Sequence, residues 1–360
     1  MSPPLNLAEL DSPMATIIID NEIDVLSTTP SITQNKDRQM DMMLNQADIV
    51  IDRGEAKRDI PMEAICCGAH GLSVLVISLL THQTATKGTT THSNLFDTGP
   101  EVSTWKRNAT RLGIDLASIG AIQLSHWHHD HSSGMLKAFS MITAAKTQDS
   151  SPVIVDLHPS RPNYRGLTAT DPLTSEKSVV LTEADPSFVE IEQDGGIARK
   201  DDRAHTLMDG FFGVSGEIPR VTGYEKGLKG GVEFISEEEG GEGTWTEDEQ
   251  ILDERFMIYK GMNLFTGCFH GGVVNAARHS LALVNSPITP KIPLYAILGG
   301  YHLVGEQEAN IPQTARDLKE LDPKVLLPGH CSGWRAMGEI KRNFERGVLV
   351  PCTVDARFEF

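Results

Sequence analysis

Six consecutive positions, His126-Trp127-His128-His129-Asp130-His131, carry five side chains of the metal-ligand type, directly after the apolar run Ala121 to Ser125. A helical stretch, Ser132 to Ser140, follows at once. A chain with this segment must fold so that a buried strand ends in a polar turn and re-enters as a helix. His126 and His128 are two residues apart, so in extended chain they project the same way and can grip one ion. Asp130 and His131 stand where the helix begins and aim at a second ion, whereas His129 faces away as a supporting or surface group. Packing imidazoles and a carboxylate together without a cation would demand costly hydrogen-bond satisfaction. Zinc and similar ions accept both donor types, and a catalytic site keeps a position open for water. The turn supplies only part of each ligand set, so histidines at other strand ends must complete them.

The rest of the chain alternates strand and helix. Apolar or β-branched runs at 15–20, 23–26, 71–80, 93–97, 121–125 and 152–157 predict strands, and Val102 to Leu112 predicts a helix. A polar connection is expected over 27–46 and a Thr-rich loop over 81–92. Two short runs around Lys260-Gly261 predict a hairpin. Strands are expected at 294–298 and 325–327, with an amphipathic helix over 314–321 between them. This alternation implies one layered α/β domain spanning 1–360. Residues 231–255 hold ten acids and one base, and are expected to form an acidic flexible insert.

Charge narrows the partners. The formal net charge of −17, from 49 acids and 32 bases, repels phosphate backbones and anionic membranes, and no basic patch offsets it. Nucleic acid and membrane are therefore not expected, and a small-molecule substrate is. The longest apolar run, Leu72 to Leu80, is nine residues, well short of the roughly 20 that span a bilayer. The start of the chain lacks a signal-peptide pattern. Five cysteines without framework spacing suit a reducing compartment, so a cytoplasmic location is expected. Isolated histidines, His82, His92, His158, His205 and His279, are read as ordinary core or surface residues.

The His-x-His-x-Asp-His turn after a strand resembles the signature of the metallo-β-lactamase superfamily. Further segments are similar to the subgroup of dihydropterin ribofuranosyl-aminobenzene phosphate synthase-like proteins. They are Gly68-Ala69-His70-Gly71, Phe96-Asp97-Thr98-Gly99, Ser215-Gly216-Glu217-Ile218-Pro219-Arg220, Gly267-Cys268-Phe269-His270-Gly271, Gly299-Gly300-Tyr301-His302 and His330-Cys331-Ser332-Gly333. The resemblance implies an α/β fold, an αββα sandwich of two mixed sheets flanked by helices, with metals held by loops along one edge. It further implies that His126, His128 and His270 bind a first ion, and Asp130, His131 and His330 a second. His302 would be a further ligand or a substrate contact. Asp97, Cys268 and Cys331 are expected to support the ligands without binding the ions, and Glu217 and Arg220 to line the substrate pocket. Most superfamily hydrolases carry a bridging aspartate after the strand that here leads to Gly267-Cys268, and this chain has no acid there.

Such a site implies a metal-dependent hydrolase with one or two zinc ions, or iron or manganese in their place. A bound ion can lower the pKa of its water to about 7 and polarise a carbonyl or phosphoryl oxygen. The substrate would be a small ester, thioester, lactone, amide or phosphoester, with Asp130 orienting the hydroxide. Three alternatives stay open: a synthase-like transferase, an iron-dependent oxidoreductase on the same fold, and a ligand-binding protein without turnover.

Overall fold

The computed structural model describes residues 4–11, 13–27, 49–60, 62–81, 89–236, 241–259, 263–285 and 291–360. Two mixed sheets face one another. The first has seven strands in the spatial order Ile197–Lys200, Ile154–Leu157, Ile119–Gln123, Thr89–Phe96, Ser73–Thr81, Met14–Ile19 and Arg357–Glu359. Its first four strands run parallel, and the remainder antiparallel. The second has six strands, in the order His205–Leu207, Phe212–Val214, Met257–Tyr259, Asn263–Phe265, Ala296–Gly300 and Val325–Gly329, the last three parallel.

Period-two alternation explains the layering. Val74, Val76 and Phe96 of the first sheet pack against Phe212, Met257, Phe265, Leu298 and Leu327 of the second, forming the core between the sheets. The intervening side chains point outward. Ile258, Leu264, Ile297 and Leu326 meet the helices Val273–Val284, Ile311–Glu320 and Trp334–Asn343. On the opposite side, Leu75, Leu95, Ile122 and Val155 meet the helices Val102–Arg111 and Met135–Ala145. The order is helix, sheet, sheet, helix, as the resemblance implies.

The parallel strands matter most for chemistry, because their carboxyl ends lie along one edge of the sandwich. Thr89–Phe96 ends at Asp97, Ile119–Gln123 leads to the His126 turn, Asn263–Phe265 to Cys268 and His270, Ala296–Gly300 to His302, and Val325–Gly329 to His330. Four of these residues or their neighbours, Asp97, Phe269, His302 and His330, hold positive φ between 44° and 56°. For side chains with a Cβ that conformation is strained, and here it turns the chain sharply off each strand end toward a common point.

Sequence and structure diverge in two places. Residues 23–26 do not form a strand, Ile23 making only an isolated bridge to Val354. The acidic stretch 231–255, expected as a flexible insert, contains the antiparallel strands Gly231–Ser236 and Gly243–Glu247, which join Tyr164–Thr170 and Lys177–Leu181 in a four-stranded sheet. Its acids are not simply solvated, since Asp253 and Glu254 are buried and bonded to the body of the protein. Most of the 27–46 connection, the 82–88 part of the Thr-rich loop with His82, and the turn at 260–262 lie outside the described residues.

Candidate metal centre

Three imidazoles converge first. His126 Nε2 lies 2.8 Å from His128 Nδ1, and His270 Nε2 lies 3.2 Å from that same atom. Ser125 Oγ donates to Asp97 Oδ2, so it accepts from His126 Nδ1 at 2.9 Å and leaves a bare lone pair on His126 Nε2. Burial, together with neighbouring His128 and His131, holds His126 well below the usual imidazole range. Burial and the Arg165 guanidinium push His128 down to about 3, and burial with His302 nearby lowers His270 strongly. Burial thus favours the neutral form of all three rings, and their nitrogens crowd around His128 Nδ1. Neutral imidazole nitrogens gathered in this way are the donors that a metal ion takes.

A second group meets across a few ångströms. His330 Nε2 sits 3.1 Å from Asp130 Oδ2, yet it is buried and makes no hydrogen bond, as expected when both atoms aim at a third point between them. His131 Nδ1 donates to Asp97 Oδ2 at 2.7 Å, which turns its Nε2 toward Cys268 Sγ at 3.2 Å. Burial disfavours charge on His131, but Asp130 and Asp97 outweigh it and lift its pKa to about 9. Burial would likewise raise Asp130, yet His131 and His330 hold it well below the carboxylate range. The carboxylates thus create a field that favours positive charge at this spot, which a divalent ion would supply. Ligand atoms of Asp130, His131, Cys268 and His330 lie within 4.8 Å of one another, and so do those of His126, Cys268 and His270. The donor chemistry fits a metal pair.

The scaffold explains why these groups meet. Asp97 accepts from Ser125 N at 2.7 Å and from Ser125 Oγ at 2.8 Å in addition to His131, so one carboxylate ties two strand ends to the histidine turn. Gly267 allows the Cys268 loop to approach that cluster, because a Cβ there would stand 2.2 Å from Ser125 Oγ. Arg165 and Asp253 clamp the residue between His126 and His128. Arg165 Nη1 donates to Trp127 O at 2.6 Å, Trp127 N donates to Asp253 Oδ2 at 2.7 Å, and Arg165 Nη2 reaches Asp253 Oδ1 at 2.6 Å. Glu254 accepts from His270 N at 2.8 Å and Gly271 N at 2.6 Å, fixing the opposite loop. Asp20, which burial pushes up to about 7, accepts from His330 N at 3.0 Å.

His70 is a site residue to which sequence reasoning assigned no role. Asn21 Nδ2 donates to His330 O at 3.1 Å, which orients the amide so that it also donates to His70 Nδ1 at 3.2 Å. The neutral ring therefore carries its proton on Nε2, 3.8 Å from Asp130 Oδ2. A cavity of ≈ 550 Å³ opens here, with His70, Asp130, Leu167, Leu228 and His302 among its walls. A neighbouring cavity of ≈ 770 Å³ shares Leu228 and His302 with it.

The structure brings His126, His128, Asp130, His131, His270 and His330 together. The His302 ring packs tilted against His270, centroids 4.4 Å apart, and faces the cavity, outside both ligand groups. Cys331, expected as support, donates to Cys268 O at 3.6 Å. Cys268 itself departs from the supporting role, since its sulfur sits in both ligand groups. Glu217 and Arg220 do not line the cavity. Glu217 is exposed, and Arg220 lies behind the His270 loop, donating to Gln250 O and packing on Gly271. That assignment rested on the resemblance of the 215–220 segment alone. His129 pairs with Glu183 at 2.9 Å on the cavity wall. His92, His158, His205 and His279 bond or pack elsewhere.

A helix–sheet–sheet–helix sandwich with a His-x-His-x-Asp-His turn at its edge defines a metallo-β-lactamase-type protein. No family model matches the chain. It is 30% identical over 264 residues to 7,8-dihydropterin-6-methyl-4-(beta-D-ribofuranosyl)-aminobenzene-5'-phosphate synthase of Methanocaldococcus jannaschii, a match covering 70% of this chain and 81% of that one. The fold is similar to that of Tm1679, a metal-dependent hydrolase of the beta-lactamase superfamily, with a TM-score of 0.60 at 18% identity over 97% of this chain and 99% of that one. The chain belongs to the metallo-β-lactamase superfamily, within the family of that synthase.

Proposed function

We propose that this chain is a zinc-dependent hydrolase of a small, elongated ester, thioester, lactone, amide or phosphoester. The observation that carries the reading is the meeting of six ligand-type side chains from three strand ends, with His330 Nε2 buried and without a hydrogen-bond partner among them. His126, His128 and His270 would hold one ion, and Asp130, His131 and His330 the other. Nitrogen, oxygen and sulfur donors together suit zinc better than magnesium or calcium. Bound ions supply Lewis acidity and make water a competent nucleophile near neutral pH.

The protein's own groups do the rest. Asp130, on the cavity floor, orients the attacking water and takes its proton. His70 presents Nε2–H to the cavity and donates to an oxygen of the substrate or leaving group. His302 and Leu228, shared by the two cavities, let a substrate extend from the reacting centre into the larger space. A second reading is favoured by the 30% identical relative: synthesis of a dihydropterin-linked ribofuranosyl-aminobenzene phosphate, as that protein's name states.

The test is a screen of zinc-loaded protein against generic esters, thioesters, lactones, amides and phosphodiesters, with a parallel reaction on the pterin and aminobenzene halves of the relative's product. Turnover of one hydrolysable class, lost in Asp130→Ala, supports hydrolysis. Condensation without hydrolysis replaces it with the second reading.

A further inference from the structure

The strand Lys177–Leu181 ends the four-stranded sheet, and all of its residues are exposed. Among the described residues no strand pairs with its outer side. Val179, Val180 and Leu181 are 38%, 57% and 54% exposed, so an apolar run lies on an open sheet edge, the arrangement that invites another strand. We propose that this edge pairs with the same edge of a second copy of the chain, antiparallel about a two-fold axis at Val180. Each copy then brings a lysine to the rim of the other's reacting cavity.

The backbone fixes the phase of the pairing. Thr182 N donates to Arg165 O at 2.9 Å, and Asp171 N to Glu176 O at 2.9 Å. With Val180 opposite Leu167 and Ser178 opposite Ala169, the even-numbered residues direct their N–H and C=O groups into the sheet. Lys177, Val179 and Leu181 therefore direct theirs outward. A second copy satisfies them only in registers that set odd-numbered residues opposite odd-numbered ones.

Side chains select among these registers. Centred on Val180, Lys177 stands opposite Glu183, Ser178 opposite Thr182 and Val179 opposite Leu181, and the axis repeats each pair. Centring on Val179 sets Lys177 against Leu181, and centring on Leu181 sets Val179 against Glu183. Of the three, the first alone matches charge with charge and apolar with apolar. The net charge of −17 opposes chance contact between copies, so this local complement is what favours the one pairing. An edge lysine ordinarily keeps other strands away, but a glutamate of the same sequence receives this one.

The site gains a residue from the pairing. Thr182 and Glu183 line the ≈ 550 Å³ cavity, and Glu183 pairs with His129 at 2.9 Å. Lys177 of the second copy lies against Glu183 and sets a positive charge at the cavity mouth. No ion is needed for this assembly.

Sedimentation of the full chain and oxidative cross-linking test it. Wild type should sediment as a dimer at micromolar concentration. Lys177→Glu should weaken the dimer roughly 10-fold or more, and adding Glu183→Lys to it should restore the dimer, a rescue that misfolding does not produce. Val180→Cys should form a disulfide-linked dimer on mild oxidation, because a non-hydrogen-bonded pair sets its Cα atoms about 4.5 Å apart, within disulfide reach. Val179→Cys should not. A wild type that stays monomeric at tens of micromolar, a charge swap without rescue, or the absence of a cross-link at position 180 overturns the pairing.

Discussion

Replacing Asp97 by asparagine changes one atom and inverts the logic of the second ligand group. The carboxylate receives three hydrogen bonds: Ser125 N on Oδ1, and Ser125 Oγ and His131 Nδ1 on Oδ2. In Asp97→Asn the amide oxygen stays with Ser125 N, because the reverse orientation would press an NH2 against that N–H. The amide nitrogen then faces His131 Nδ1 at what is now a 2.7 Å contact. His131 must shift its proton to Nε2, where it blocks the lone pair aimed beside Cys268. Two hydrogen bonds to Oδ2 are lost, from Ser125 Oγ and from His131; the one that acts on the ligand is the charge-assisted bond from His131, worth about 1.5–3 kcal/mol, which converts to roughly a 10–150-fold change in affinity. Outer partners of ligating histidines cost a similar 10–100-fold or so when removed. Competitive zinc titration against a chromophoric chelator measures the effect. The expected result is one weakened binding constant, the other preserved, and unchanged far-ultraviolet circular dichroism. Equal affinities in variant and wild type would refute the assigned tautomer and with it the role of Asp97.

Three further outcomes follow from the same geometry. Arg165→Met leaves the buried Asp253 carboxylate without its guanidinium and Trp127 O without its donor, so urea denaturation should show a loss of about 3–5 kcal/mol; a loss near zero would mean that the clamp on the histidine turn is incidental. In metal-stripped protein, Asp20 has its pKa raised from 3.8 to about 7 by burial, so the folded state holds a proton that the unfolded chain releases between those values. Its contribution is therefore favourable at low pH and declines as pH rises from about 4 to about 7. Asp20→Asn should thus gain on the wild type across that window, by about 4 kcal/mol at most, and a pH-independent difference in chemical denaturation would contradict the shift. His128→Ala combined with Asp130→Ala should abolish bound metal by elemental analysis while the thermal transition remains cooperative; retained metal would show that the ligands lie elsewhere.

Much of the fold was legible because it depends on local period and order. The strands at 73–81, 119–123, 296–300 and 325–329 announce themselves as short apolar runs, whereas residues 89–92, expected in the Thr-rich loop, extend the strand Thr89–Phe96 by pairing with Ser73–Thr81. The histidine turn was legible for the same reason, its ligands being contiguous. What escaped was set by contacts across the chain. Arg165 meets Asp253 across 88 residues, and nothing near either residue signals the other. The four-stranded sheet hid behind its exposed Thr168, Thr170, Lys177 and Thr246, which break the alternation that marks a half-buried strand. Cys268 was placed beside a ligand by chain position, but only folding shows its sulfur between the two groups. Glu217 and Arg220 erred the other way, expected at the pocket from the resemblance of the 215–220 segment and placed outside the cavity by the fold.

The central claim is that remote histidines and a carboxylate close around two cations at the sandwich edge. An anomalous-difference map from crystals grown with zinc tests it most directly. The account predicts one peak coordinated by His126, His128 and His270 and a second by Asp130, His131 and His330. A map with no peak in that cluster, its imidazoles paired by hydrogen bonds alone, would contradict it.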